Sequence, residues 1–257
     1  MATVGKKIHR SKSDLVFDIT NYIIMTLFLF IMAYPLYYTL IASFSDIKEI
    51  GLGKIYLLPR GFSLEAYKNI FLNSQIWRGY RNTILYTLMG TVYELGIMLP
   101  LAYALSKKSL FGYKTISWFF LITMFFSGGL IPTYLLMQQM SLINNPLVMI
   151  IGSLSVYNMI VTRTFFASSI PDELYTSAKI DGANEFVCFF RIALPLSGAI
   201  IAVMGLFIAV TMWNSYFRAL IYLTKPELYP LQLVLRGSRY ILPKPISLMS
   251  ENEAISV

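Results

Sequence analysis

Residues 19–42 read ITNYIIMTLFLFIMAYPLYYTLIA without one charged side chain. A helix needs about 20 mostly apolar residues to cross the ~30 Å hydrocarbon layer of a bilayer. This run meets that length, so it reads as a membrane span. Pro35 lies inside it and predicts a kink, which neighbouring helices tolerate in a membrane. Four further runs follow, over 83–105, 116–137, 147–166 and 196–223. "SGGLIP" (127–132) interrupts the third and predicts a break or kink there. The expected fold is therefore an all-α, polytopic membrane bundle of about five spans.

The segments between the runs divide the chain. Residues 1–18 form a basic N-terminal arm and 19–223 the membrane domain, while 224–257 is a polar, proline-bearing tail without a further span. Residues 46–77 hold Asp46, Lys48, Glu49, Lys54, Arg60, Glu65 and Lys68. They predict a sizeable extramembrane loop with short amphipathic helices such as "SLEAYKNIF". The arm, with Lys6, Lys7, Arg10 and Lys12, precedes an apolar run far longer than a signal-peptide core, so it reads as a retained anchor.

Composition excludes several functions. Hydrophobic residues make up 56% and charged residues 13%, against roughly a quarter charged in a soluble domain. The net charge of +8 lies in residues flanking the apolar runs and not in one patch, so no nucleic-acid partner is expected. The single cysteine, Cys188, and single histidine, His9, exclude an intrachain disulfide and leave no plausible Cys/His metal site. They also leave no Ser/His or Cys/His pair for catalysis, so the chain is not expected to be an enzyme. No G-x-x-x-x-G-K-[ST] sequence is present, so the chain is not itself an ATPase.

Orientation follows from Lys and Arg in the short loops. The arm and the 106–114 loop, with Lys107, Lys108 and Lys114, fall on one side, which is then the cytoplasm. The 46–77 loop, the 141–146 turn and the tail are then outside. The stretch 168–195 is cytoplasmic again, yet its charge is near zero: Lys179 and Arg191, with Arg163 just before it, face Asp172, Glu173, Asp181 and Glu185.

That stretch has a pattern of its own. Pro171-Asp172-Glu173 is a strong helix start, because the ring presets the backbone and acids favour the N-terminal dipole. Leu174 and Ala178 lie one turn apart on one face, and Asp181-Gly182 breaks the helix, Gly182 permitting positive φ. A second helix with Phe186, Phe189 and Phe190 runs to Pro195. Two short helices at an angle, with a small apolar face, either pack on the chain's own spans or seat a partner.

"ELYTSAKIDGANEFVCFFRIALP" (173–195) resembles the EAA loop of binding-protein-dependent ABC permeases, with matches at Ala178, Asp181, Gly182, Ala183, Phe189 and Pro195. "LPLAYALSKKSLFG", "FFSGGLIPTYLL", "WNSYF" and "LYPLQLVLR" extend the resemblance over about 15–245, to carbohydrate permeases related to the maltose permease. They look closest to a branch associated with polysaccharide-fragment uptake. Two departures stand out. Thr176 occupies the place of the motif's first Glu. "ENEAISV" also ends where such permeases begin one more span, so the resemblance implies a last helix missing from this sequence.

The resemblance implies a permease subunit in the bacterial inner membrane. It would pair with a second permease, a cytoplasmic ATPase dimer that uses ATP and Mg, and an extracytoplasmic substrate-binding protein that delivers an oligosaccharide. No cofactor is expected in this chain. ATPase coupling would fall on Glu173, Leu174, Ser177, Ala178, Asp181, Gly182, Ala183 and Phe189, with spans four and five as the moving elements. Polar residues in a membrane tend to face the bundle interior or a wet cavity. Candidates for the substrate path are therefore Glu94 and Tyr93, Ser127 and Gln138, Tyr157 and Asn158, and Trp213, Asn214, Tyr216 and Arg218; each also suits bonding between helices, and Glu94 and Arg218 stand out because a charge in hydrocarbon needs a reason, which pairing with a partner subunit would also supply. Arg218, with Arg236 and Arg239, favours an acidic saccharide of the uronate type. A secondary transporter or channel, and a purely structural anchor, stay open as rival readings. The first would show internal repeats and midplane carboxylates; Glu94 alone fits.

Overall fold

The computed structural model describes residues 12–151 and 154–238, which fall into two compact units, 12–73 and 74–238. The arm before Lys12 and the tail after Ser238, Arg239 included, lie outside the described residues. The described residues form helices and turns without strands.

The first unit is a long helix followed by a folded loop. α1 (Lys12–Ser43) contains Pro35 and buries only Ile41. It begins in the arm, one to two turns before the expected span. The loop after it holds α2 (Ile47–Gly51) and α3 (Glu65–Leu72), the latter overlapping the "SLEAYKNIF" expected to be helical and ending one residue beyond it. Asp46 caps α2 by accepting from the Lys48 N–H at 2.8 Å. Phe44 stacks on Phe62 at 6.1 Å and meets Tyr67 at 5.5 Å, which folds the loop on itself.

The second unit is built around α4 (Ser74–Ser106), 33 residues long. At 1.5 Å per residue it reaches about 50 Å, more than a bilayer core needs. The remaining elements are α5 (Tyr113–Phe125), α6 (Leu130–Gln139), α7 (Leu147–Ile150), α8 (Val156–Ser168), α9 (Asp172–Ile180) and α10 (Glu185–Cys188). A π-helical turn, Phe189–Ala193, leads to α11 (Leu194–Leu196), α12 (Gly198–Trp213), α13 (Tyr216–Tyr222), a 3₁₀ turn (Pro226–Leu228) and α14 (Leu231–Ser238). α4 packs against α7, α8, α12 and α14. One apolar core joins Met98, Ala102 and Leu105 of α4 to Met159, Phe166, Cys188, Met204 and Ile208. A second surrounds Tyr86 near the other end, with Met137, Val148, Met149, Tyr222 and Leu233.

The five expected spans are not five straight helices. α1 and α4 are each long and apolar enough to cross a membrane, and two bent pairs raise that to four. The third expected span is α5 and α6, bent by 115° at Phe126–Gly129, where "SGGLIP" predicted a break. Gly129 has φ 84° and ψ −179°, a region open essentially to glycine alone. The fourth expected span is divided: α7 ends at Ile150 and α8 begins at Val156. Hydropathy alone could not show this division, because "IGSLS" is apolar enough on average to continue a span. The fifth stops at Trp213, before α13.

Residues 224–238 fold back on the first turns of α4. The Asn82 amide donates to the Glu227 and Tyr229 carbonyls, the Tyr86 hydroxyl donates to the Leu228 carbonyl, and the Leu231 N–H donates to Thr83 Oγ1. Gly79 lets α14 approach: a Cβ there would lie 3.0 Å from the Leu231 Cα. Gly79→Val should therefore lower thermal stability in detergent by about 1–3 kcal/mol, the range of overpacked sites. Gly96→Ala, which meets nothing within 4 Å, should leave the melting temperature unchanged or raise it.

Candidate coupling hairpin and intramembrane break

α9 starts where the sequence places it. Pro171 precedes the helix with extended backbone, and Asp172 and Glu173 occupy the first turn. The helix ends at Asp181-Gly182, Gly182 taking φ +84°, and the Asn184 carboxamide caps α10 by accepting from the Val187 N–H at 2.9 Å. The result is a short helical hairpin with two unlike faces.

The inner face packs on the unit's own core. Tyr175, Cys188 and Phe189 are buried, and Ala178 and Ala183 pack partly buried against them. The outer face carries Leu174, Thr176, Ser177, Asp181 and Gly182 exposed, with Ile180 82% and Phe186 76% exposed. Among the candidate coupling residues, Glu173, Leu174, Ser177, Asp181 and Gly182 thus point outward. Ala178 and Ala183 support the hairpin from within. Phe189 lies inside, 5.3 Å from the Tyr103 ring. Thr176 donates to the Asp172 carbonyl of its own helix at 3.0 Å, so it supplies no substitute for a carboxylate.

Polar contacts tie the hairpin to the last turn of α4. The Tyr103 hydroxyl donates to Glu185 at 2.9 Å, and Lys179 pairs with the same carboxylate at 2.6 Å. The Lys107 ammonium lies 3.1 Å from the centre of the Tyr175 ring and 3.8 Å from Asp172. The hydrogen bond from Lys179 holds the Glu185 carboxyl below its ordinary range and raises Lys179 in turn. The contact is therefore intact above the ordinary carboxylate range and is lost as pH falls through the lowered Glu185 value. Burial pushes Lys107 down against the pull of Asp172, and it pushes Tyr175 up to about 12. A cavity of about 570 Å³ opens beside these groups, lined by Tyr103, Lys107, Phe111, Glu185, Phe186 and Phe190 among others.

The break between α7 and α8 is the second polar feature. A helix that stops inside a membrane frees backbone groups that lipid cannot satisfy. Here Glu94 of α4, 5% exposed, accepts from the Ser155 N–H at 2.9 Å. The Arg218 guanidinium of α13 donates to the Ile151 carbonyl. Ser155 itself caps α8 by accepting from the Asn158 N–H at 3.3 Å. Two ionisable residues of the expected spans, Glu94 and Arg218, therefore sit on either side of one break, the acid on a freed donor and the base on a freed acceptor.

The other candidate path residues lie apart from that break or beside it. Asn158 is half-buried at the start of α8 and Tyr157 is exposed. Trp213, Asn214 and Tyr216 are exposed at the junction of α12 and α13, where the Asn214 amide donates to the Val210 carbonyl and closes α12. Arg236, already named with Arg218 for an acidic saccharide, lies with its guanidinium 5.6 Å from the centre of the Tyr216 ring. Among the described residues, no hydrogen bond joins Tyr93, Ser127 or Gln138 to Glu94 or Arg218. Sequence reasoning missed Tyr103, whose neighbours "LAYAL" read simply as the end of a span.

Residues 76–243 match the family model described as "Binding-protein-dependent transport system inner membrane component", and the chain belongs to that family. It is 36% identical over 221 residues to the polygalacturonan/rhamnogalacturonan transport system permease protein YtcP of Bacillus subtilis, covering 86% of this chain and 77% of that one. It is also 36% identical over 229 residues to protein LplC of the same organism, covering 89% and 77%. Its fold is similar, with TM-score 0.87 and 31% identity, to a chain in the crystal structure of a bacterial ABC transporter involved in the import of the acidic polysaccharide alginate; the match covers 97% of this chain and 88% of the other. The protein is thus an inner-membrane permease component of an ABC importer, of a type that works with a binding protein, an ATPase and a partner permease.

Glu94→Leu should leave the Ser155 N–H without a partner and lower stability by about 1–3 kcal/mol. Glu94→Gln keeps a carbonyl acceptor and should lose clearly less. Thermal unfolding of the two variants in detergent distinguishes them.

Proposed function

We propose that this subunit carries an oligosaccharide bearing carboxylates through the inner membrane, and that the 168–195 hairpin is its cytoplasmic seat for the ATPase. The observation that carries the second part is the outer face of the hairpin. Ile180 and Phe186 are large, apolar and almost bare, on a segment whose inner face is already packed. An exposed apolar patch flanked by charge fits a protein partner. The basic arm and Lys107, Lys108 and Lys114 support a cytoplasmic position for this end, with the 46–77 loop and residues 224–238 outside. The chain itself is non-catalytic in this reading; ATP and Mg act in the partner.

The substrate class rests on the relatives and on one contact. The named polymers of two of them, polygalacturonan and alginate, carry a carboxylate on their uronate units. Arg218 is engaged with a backbone carbonyl, so it is a poor reader of acid. Arg236 is the better candidate: it is exposed, lies over Tyr216, and has no carboxylate partner among the described residues. A guanidinium stacked on an aromatic ring keeps its outer N–H edge for a carboxylate, while the ring suits a sugar face. Tyr216, Trp213 and Arg236 would then meet the sugar at the outer mouth of the path.

Ile180→Glu should abolish co-purification of the ATPase without changing the melting temperature of the permease; retention of the ATPase would refute the docking face. In proteoliposomes bearing the whole importer, Arg236→Ala should reduce uptake of oligogalacturonate about tenfold or more, the loss of one charge-assisted contact of 1.5–3 kcal/mol. A neutral oligosaccharide, if transported, should be affected little, and an equal loss for both would remove the charge argument.

A further inference from the structure

The hairpin is joined through the chain to α8 on one side and to α12, by way of the π turn, on the other. Those connections would pass its movement to two helices. The side chains add a third, α4, which is remote in sequence from the hairpin. Tyr103 lies in the last turn of α4 and is 6% exposed. Its ring meets Phe166 of α8 at 6.0 Å, Tyr175 of α9 at 6.0 Å and Phe189 of the π turn at 5.3 Å. Its hydroxyl bonds Glu185 at the start of α10, and Glu185 reaches across the Asp181-Gly182 turn to Lys179 of α9. One carboxylate therefore joins both helices of the hairpin to α4. Lys107, just past α4, closes the other side through the Tyr175 ring and Asp172.

We propose that Tyr103 and Lys107 are positioning residues that fasten the hairpin to α4, so that α4 moves with it when the ATPase acts. The inference rests on the reading of the hairpin as the ATPase seat. Its physical content is stiffness. A buried ring with three aromatic neighbours and a hydrogen-bonded hydroxyl has little room to slip, because packed interiors pass on a displacement and do not absorb it. α4 is one continuous helix, with Pro100 inside it between Tyr103 and Glu94, and it carries Glu94 against the α7–α8 break and Asn82 and Tyr86 against residues 227–229. A shift at Tyr103 thus reaches the break and the far end along one continuous helix, past Pro100, where one backbone hydrogen bond is missing. In this role Tyr103 and Lys107 act through the hairpin and not on substrate or nucleotide.

The test uses the whole importer, with its ATPase, partner permease and binding protein, in proteoliposomes. Tyr103→Phe removes only the hydroxyl, and Lys107→Met removes only the cation. The double variant should retain the ATPase and binding-protein-stimulated hydrolysis, while substrate imported per ATP hydrolysed falls at least fivefold. Lys107→Arg, which keeps a cation over the ring, should restore much of the ratio in the Tyr103-containing chain. An unchanged ratio in the assembled double variant would overturn the proposal. Loss of the ATPase from that complex would overturn it too, because the residues would then shape the docking face instead of transmitting movement. Ile180→Glu, assayed beside them, separates this outcome from failure of the hairpin reading, which would show as an ATPase still bound to that variant.

Discussion

A helix that ends inside an apolar bundle leaves N–H and C=O groups that must find partners, and the second unit is organised around one such place. α7 and α8 are separated where an unbroken span would be the cheaper choice in lipid. Glu94 and Arg218 make the gap tolerable, one by accepting from the Ser155 N–H and the other by donating to the Ile151 carbonyl. Each charge would be expensive alone in hydrocarbon; placed on opposite backbone dipoles at one break, each satisfies a group that would otherwise be unpaired. The break and the charges thus depend on each other.

α4 connects this place to both ends of the unit. Its small residues let neighbours approach: Gly79 admits α14, and Gly90 lies against the Met212 side chain. Close approach through glycine is a common solution in membranes, where lipid tails remove the hydrophobic drive for helices to associate. The polar residues Asn82, Thr83 and Tyr86 bind the returning segment at one end, and Tyr103 holds the hairpin at the other. The family's transport activity needs parts that move together. A long helix with fixed contacts at its two ends and one in between has the mechanical character for that.

The hairpin was legible before its surroundings. Pro171, the paired acids and Asp181-Gly182 fix a short helix and its end through local backbone preferences, and the structure has α9 from Asp172 to Ile180. Which side of that helix faces inward was less legible. Leu174 and Ala178 share a face by spacing, yet Leu174 is exposed while Ala178 packs on the core. Phe189, expected with the coupling residues, begins the π turn and is enclosed against Tyr103. Thr176 stands where the motif has Glu, and the carboxylate that organises the hairpin is instead Glu185, reached from α4 and from Lys179.

The sequence by itself determined the solvent of this protein. Long uncharged runs admit lipid and little else, and an interruption as sharp as "SGGLIP" is visible because glycine changes the backbone locally. It determined the family as well, because the loop motif is local in sequence. Tertiary structure alone decided how the polar residues are used. Glu94 and Arg218 looked like groups facing a path, because a charge in a span has no partner within its own helix to announce. Their partners are backbone groups 61 and 67 residues away. The division of the fourth run belongs to the same class: its residues are apolar enough to continue a helix, and only groups brought from α4 and α13 make it favourable to stop.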